Sequence, residues 1–306
     1  MEKYLPEGTV FNSRETEKTL TNINLLKEAC EKRRYLEARA LMCDSAHNLH
    51  FKFGEISGFM PHDECAEGVK DGSVKDIAVI SRVNKPTGFY ITEIDESGEK
   101  PVAVLSRTEA QKDCRRDYVS RLLPGDIIDA RVTHIEPFGA FCDIGRGITS
   151  LLPINSVSVS RIPNPHARFF IDQNIKAVVR SIDENGRITL SHRELLGTWE
   201  ENVAMFNSGE TVTGIVRSVE PYGIFVELAP NLAGLAEYVE GVEPGQSASV
   251  FIKSVNSEKM KIKLIIVSTD NAPCENRKYK YFIDSGHMDS WRYSPYKCTK
   301  TVETVF

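Results

Sequence analysis

The segment Glu136-Pro137-Phe138-Gly139-Ala140-Phe141 returns 84 positions later (139 to 223) as Glu220-Pro221-Tyr222-Gly223-Ile224-Phe225. The same offset carries Gly125 to Gly209, Asp143 to Glu227 and Leu151 to Leu235. A repeat of this kind sets the unit of folding before any other argument. Each copy reads as a strand-like run (127–135; 211–219), then Pro, aromatic, Gly, a small or apolar residue, Phe, and a second strand. Glycine inside a strand pattern predicts a bulge or a close backbone approach.

Alternation then assigns the faces. Ala140, Cys142 and Ile144 share one face of the second strand, while Phe141 lies on the other with Asp143 and Gly145. Likewise Ile224, Val226 and Leu228 oppose Phe225 and Glu227. Phe141 and Phe225 are therefore expected outside the core, each with an aromatic three residues earlier across a glycine. Such a pair suits either of two tasks, covering a barrel end or stacking unpaired bases.

The order Gly125-Asp126, Glu136 to Phe141, Asp143-Ile144-Gly145, Leu151-Leu152-Pro153 and Ile182-Asp183-Glu184-Asn185-Gly186-Arg187 resembles the S1-type RNA-binding repeat. It does so closely over 123–195 and more loosely over 207–267. The resemblance implies five-stranded barrels of the oligonucleotide-binding class. It also implies binding faces built on Phe138, Phe141, Asp183 and Arg187 in one copy and Tyr222, Phe225, Asn256 and Lys261 in the other. Lys176 and Arg180 join Arg187 and Lys261 as expected phosphate neighbours. Where many members carry His after the third strand, this chain has Pro153 and Glu237.

Charge opposes a generic polyanion binder, because the chain of 306 residues carries a net −5. Residues 123–196 hold eight basic and eight acidic side chains. A neutral module has to bind single strands mainly by stacking. No run approaches the roughly 18 apolar residues of a membrane helix. The charged start lacks a signal-peptide core, and the seven cysteines show no CxxC spacing, so reduced thiols and a cytoplasmic setting are expected.

The expected fold class is mainly β, with tandem five-stranded OB-fold (S1-type) barrels, short helical linkers and an N-terminal helix. Five segments are expected: 1–34 helical, 35–116 a degenerate S1-like barrel, 117–196 and 197–270 the two clear barrels, and 271–306 a basic aromatic extension. In the degenerate barrel, 36–42, 49–53, 55–59, 74–83, 88–94 and 102–106 read as strands. It lacks the aromatic turn, so protein contacts are expected of it; by resemblance to ribosomal S1 proteins, that means attachment to the small ribosomal subunit. A helix over 13–34 and a polar helical linker over 108–122 follow from apolar spacing and caps. Leu195, Trp199, Val203 and Phe206 predict a helix bridging the two clear barrels, with Trp199 packing between them. The long connection 155–172, holding His166, is a candidate specificity loop.

The extension interleaves Tyr279, Tyr281, Phe282, Trp291, Tyr293 and Tyr296 with six basic and four acidic residues. It reads as a hairpin of 278–283 with 288–293, suited equally to packing on the last barrel or to nucleic acid. Cys274, His287 and Cys298 with Asp284 or Asp289 offer zinc-type donors without the paired spacing of a zinc module, so no cofactor is expected. No Gly-rich phosphate loop, HExxH or GxSxG is present, and Asp284, His287 and Asp289 form the one compact catalytic constellation. The expected function is binding of single-stranded RNA without catalysis, as a ribosomal S1-like factor holding mRNA. The alternatives are a protein scaffold or an accessory to an RNA-processing nuclease.

Overall fold

Asparagine divides what apolar spacing presents as one N-terminal helix. In the computed structural model, which describes residues 4–271 and 279–306, Ser13 caps α1 (Arg14–Thr21) and α2 spans Ile23–Glu31. Between them Asn22 is extended, and its side chain accepts from the amides of Asn24 and Leu25. A side chain that satisfies the orphan amides of a new helix favours a break over continuation. Leu20, Leu26 and Ala29 pack into the core of the first sheet.

That sheet contains β1 (Leu36–Arg39), β2 (Met42–Cys43), β3 (Leu49–Phe53), β4 (Ile56–Met60), β5 (Pro86–Asp95) and β6 (Val102–Ser106), in the order β1-β5-β6-β4-β3-β2. The strand expected over 74–83 is instead a turn and α3 (Ile77–Ile80). Its amides return to Asp76 and only Val79 of the four is buried, so the run has no alternating face to pair. Ser106 caps α4 (Arg107–Asp117), which ends in a 3-10 turn at Val119–Arg121.

Two closed barrels follow. One is β7 (Ile127–Glu136), β8 (Gly139–Asp143), β9 (Thr149–Pro153), β10 (Asn174–Ile182) and β11 (Ile188–Ser191), ordered β10-β11-β9-β8-β7. The other is β12 (Thr211–Glu220), β13 (Gly223–Ala229), β14 (Leu232–Ala236), β15 (Ser247–Asn256) and β16 (Lys261–Asp270), ordered β12-β13-β14-β16-β15. In each, the fifth strand lies parallel beside the third. Counting β1 and β2 as one interrupted strand, the first sheet has the same order, with β4 and β6 as its parallel pair.

The chain forms two units. The first is Met1–Leu122 with Asp129–Arg131 and Asp143–Thr149; the second is Leu123–Ile128, Val132–Cys142 and Ser150–Phe306.

Within the first unit, Glu7 is buried between Arg107 (2.7 Å) and Arg82 (2.7 Å) and accepts the Gly88 amide. Asp143 accepts the amides of Glu7, Gly145 and Gly147. Arg146 lies 4.3 Å from the Tyr4 ring and 4.4 Å from that of Tyr35 and donates to the Tyr90 hydroxyl. Burial works to raise the Glu7 carboxyl, but the two guanidinium groups outweigh it and hold it at about 2. Glu37, largely buried and facing the Glu7 charge, is pushed up to about 7.

In the second unit a 3-10 turn at Arg193–Leu196 leads to Gly197 at φ +83° and then α5 (Trp199–Val203), capped reciprocally by Thr198 and Glu201. The left-handed glycine breaks the continuous bridging helix expected over 194–206. Trp199 is buried in a core shared by Val178, Leu195, the β12–β16 barrel and the tail residues Trp291 and Tyr293. The hairpin expected from 278–283 and 288–293 does not form. Residue 278 is outside the described residues, Phe282 bonds to Leu195, and β17 (Ser290–Arg292) pairs with β18 (Glu303–Val305), where Arg292 faces Glu303.

Glu7 and Glu37 act on the stability of the first unit in opposite senses. Glu7 contributes fully above pH 4.5 and loses its contribution as pH falls from 4.5 towards 2. Glu37 holds its proton more tightly when folded, so its contribution is lost as pH rises from 4.5 through 7. Asp143, pushed up to about 7 by burial and by the Glu7 charge, acts in the same sense as Glu37, so urea unfolding of the first unit should lose stability as pH rises from 4.5 through 7. Glu7→Gln should make the acid limb shallower and cost about 3–5 kcal/mol by leaving Arg107 and Arg82 without their shared carboxylate.

Candidate nucleic-acid interface

Barrel closure decides which side chains face out. Val132, Ala140, Cys142, Leu152, Val178 and Leu190 are fully buried, as are Val216, Ile224, Val226, Val250 and Ile252. Phe141 and Phe225 stand half-buried on the opposite faces of their strands, as alternation requires. Phe138 is 56% exposed and Tyr222 69%. Phe138 and Phe141 meet at 6.1 Å with an interplanar angle of 89°, and Tyr222 and Phe225 at 6.2 Å and 85°. Each barrel thus displays an L-shaped pair of rings, one of them projecting into solvent.

The intervening glycine makes that turn possible. A Cβ on Gly139 would lie 2.6 Å from the Leu152 carbonyl oxygen, and one on Gly223 would lie 2.5 Å from that of Ala236. The close approach expected from the motif is present in both copies.

His134 extends the first pair and was not among the residues singled out by sequence. Its ring stacks on Phe141 at 6.3 Å and 25°, and its Nε2 lies 2.8 Å from Glu136. Strict alternation from Val132 would put His134 inside; Thr133 and His134 instead both face outward before Ile135 returns to the core. In the other copy a bulge between Val216 and Ser218 sets Ser218 opposite Phe225. From there a cross-strand row runs through Phe225, Leu235, Lys263 and Ser254, which adds Lys263 to the face.

Other expected residues occupy hairpin ends. Asp183 accepts the amides of Asn185 and Arg187 and so shapes the β10–β11 turn, and Asn256 accepts from Lys259 in the equivalent turn. Arg187 and Lys261 are exposed beside them. Arg180 donates to Ser156 at 2.6 Å, and the Lys176 amide donates to the Tyr281 hydroxyl at 3.1 Å. Glu237 is exposed.

The acids sharing the aromatic face are not in solvent. Glu227 is buried, bridged by Arg168 at 2.5 Å and by Arg217 through both oxygens, and Asp143 is buried in the first unit. Arg168 comes from the 155–172 connection, so this part of the candidate specificity loop packs inside the second unit, while His166 stays exposed. Asn231 ties the same unit together, accepting from Val159 and donating to the carbonyls of Arg193 and Gly197.

Most tail aromatics are likewise engaged in packing. Tyr279 donates to the Arg168 carbonyl and Tyr293 to that of Asn231, and Trp291 and Tyr293 are buried. Tyr281 lies against His192, whose imidazole is pushed down to about 4 by burial. Tyr296 is exposed under Arg292, 4.6 Å away. Of the zinc-type donors, Cys274 lies outside the described residues, Cys298 is buried, and His287 bonds to Asp126 at 2.7 Å.

Substituting Gly139 by Ala should force β8 away from β9 and cost about 1–3 kcal/mol, the scale of an overpacked site. It should also disturb the Phe138–Phe141 pair. Chemical denaturation together with amide shifts of residues 138–141 would check both.

The family model described as the S1 RNA binding domain matches residues 122–193. Small ribosomal subunit protein bS1 of Staphylococcus aureus is 29% identical over 229 residues, covering 69% of this chain and 56% of that protein. The bS1 of Staphylococcus epidermidis is 28% identical over 236 residues, covering 72% and 57%. The chain thus spans just over half the length of these relatives. Among solved structures, a multidomain protein with nucleic acid binding domains from Streptococcus pneumoniae is 12% identical, with a TM-score of 0.26 over 76% of this chain and 73% of that one. Sequence order, barrel topology and the family match agree over residues 122–193, which match the S1 RNA binding domain, and the chain is similar over 69% of its length to bS1.

Proposed function

We propose that this protein binds single-stranded RNA on the two aromatic pairs and works as an S1-like factor in translation, holding mRNA near the small ribosomal subunit. The observation that carries the reading is the repetition of one ring geometry, 6.1 Å and 89° against 6.2 Å and 85°, on two successive barrels. A notch of perpendicular rings offers one base a face to stack on and an edge to lean against, without asking for a particular sequence. The S1 match over 122–193 and the likeness to bS1 support RNA as the ligand and the small subunit as its setting.

Stacking supplies the affinity because charge cannot. Arg187 and Lys261 at the hairpin ends, with Lys176, Arg180 and Lys263, provide scattered cations in a chain of net charge −5. Each platform alone is weak. Both lie in the second unit, joined by a shared core and by Asn231, so engagement of one raises the effective concentration at the other. The first sheet, with His50 and Phe59 at 5.5 Å in place of the aromatic turn, is assigned to a protein partner. No catalytic role is part of this reading.

Fluorescence anisotropy of a labelled unstructured RNA tests the mechanism. Phe138→Ala with Phe141→Ala, checked for folding by circular dichroism, should weaken binding at least about tenfold, since a stacked base contributes about 1–3 kcal/mol. Tyr222→Ala with Phe225→Ala should weaken it in the same direction. With about two to four phosphate contacts, log affinity should fall against log salt with a slope of roughly −1.5 to −3. Equal binding by wild type and both folded double variants would rule out the platforms. Cosedimentation of the intact chain with small ribosomal subunits, absent when residues 1–122 are competed with an antibody, would test the placement separately.

A further inference from the structure

Outside the aromatic faces, His47, His62 and Asp76 bring one donor atom each to within 4.8 Å of one another. They come from three separate segments of the first unit: the β2–β3 turn, the 3-10 turn after β4 and the residue preceding α3. Asp76 lies between the two rings, with Oδ1 2.9 Å from His62 Nε2 and Oδ2 3.3 Å from His47 Nδ1. We propose that these three side chains form a binding site for one divalent transition-metal ion, with Zn²⁺ the best fit, and water completing the coordination.

Spacing supports this reading. Two ligands on a tetrahedral zinc ion, bonded at about 2.0–2.1 Å, stand roughly 3.3 Å apart. The two contacts through Asp76 are close to that value, and all three donor atoms lie within 4.8 Å of one another. Two imidazoles and one carboxylate with an open position make a nitrogen-rich set that suits zinc and disfavours magnesium or calcium.

The surrounding structure holds both histidines in place. Asp44 accepts the amides of Ala46 and Asn48, fixing the turn on which His47 sits at φ +61°. Asn48 donates to Asp44 at 3.0 Å and accepts the His62 amide at 2.9 Å, so one side chain spaces the two ligand-bearing segments. Asp44 is further engaged by His50, which leaves it as support and not as a ligand. On the far side of His62, Nδ1 lies 3.6 Å from Asp63 Oδ1. A carboxylate there favours the Nδ1–H tautomer, the form in which Nε2 is free to coordinate. A bound ion would tie the 61–85 connection to the β2–β3 turn.

The test is calorimetric titration of ZnCl₂ into the full chain after removal of metal with EDTA. Wild type is compared with His47→Asn, His62→Gln and, as a control at a separate histidine, His287→Gln, all checked for folding by circular dichroism. One ion per chain is expected, with affinity reduced about tenfold to a hundredfold in His47→Asn and His62→Gln and unchanged in His287→Gln. Zinc at about 100 times its Kd should also raise the thermal midpoint of wild type by about 5 °C. Co²⁺ substitution separates this site from the thiols. Weak d–d bands without sulfur charge transfer support it. A sulfur charge-transfer band, no binding by wild type, or binding by His47→Asn and His62→Gln as tight as wild type would overturn it.

Discussion

Closure of five short strands into a barrel is the constraint on which the remaining architecture depends. The parallel pairing of β14 with β16, and of β9 with β11, leaves an interior that accepts one line of apolar side chains per strand. Ala140, Cys142 and Ile144, or Ile224, Val226 and Leu228, fill that allotment. Phe141 and Phe225 must then stand outside. Glycine at 139 and 223 lets the neighbouring strands approach to a distance no side chain would permit, and this places the preceding aromatic beside them at a right angle.

The same closure creates a second demand, since every outward-facing acid on a partly covered face needs a partner. The repeat position Asp143/Glu227 meets it in two ways. Glu227 is neutralised by Arg217 from its own barrel and by Arg168 from the connection of the preceding one. Asp143 is satisfied by three backbone amides in the first unit, near the buried ion pairs of Glu7. One repeated position therefore serves two different packing environments, while the aromatic pair above it keeps one geometry. A surface whose geometry persists although its supports differ is set by the local turn and not by the surroundings.

Much of the fold was legible from residue order. The repeat, the strand boundaries at 49–53 and 102–106, the outward Phe141 and Phe225 and the buried Trp199 all follow from periods of two and 3.6. Departures occur where the backbone is redirected locally. Asn22 splits a helix by capping the next one, Gly197 splits another through a positive φ, and Thr133 and His134 both face outward, against the alternation. The stretch 74–83 has strand composition but only one buried side chain among the four of α3, and so it turns.

The repeating unit, the inner and outer faces of its strands and the paired aromatics with their glycine are legible in residue order, because they depend on neighbours within a few residues. Groups whose partners lie far away in the chain find them through folding alone. Arg168 meets Glu227, the tail tyrosines cover His192 and Asn231, and His47, His62 and Asp76 converge. Backbone sterics and side-chain periodicity act locally. Burial of charge and convergence of donor atoms are set by which distant segments packing brings together.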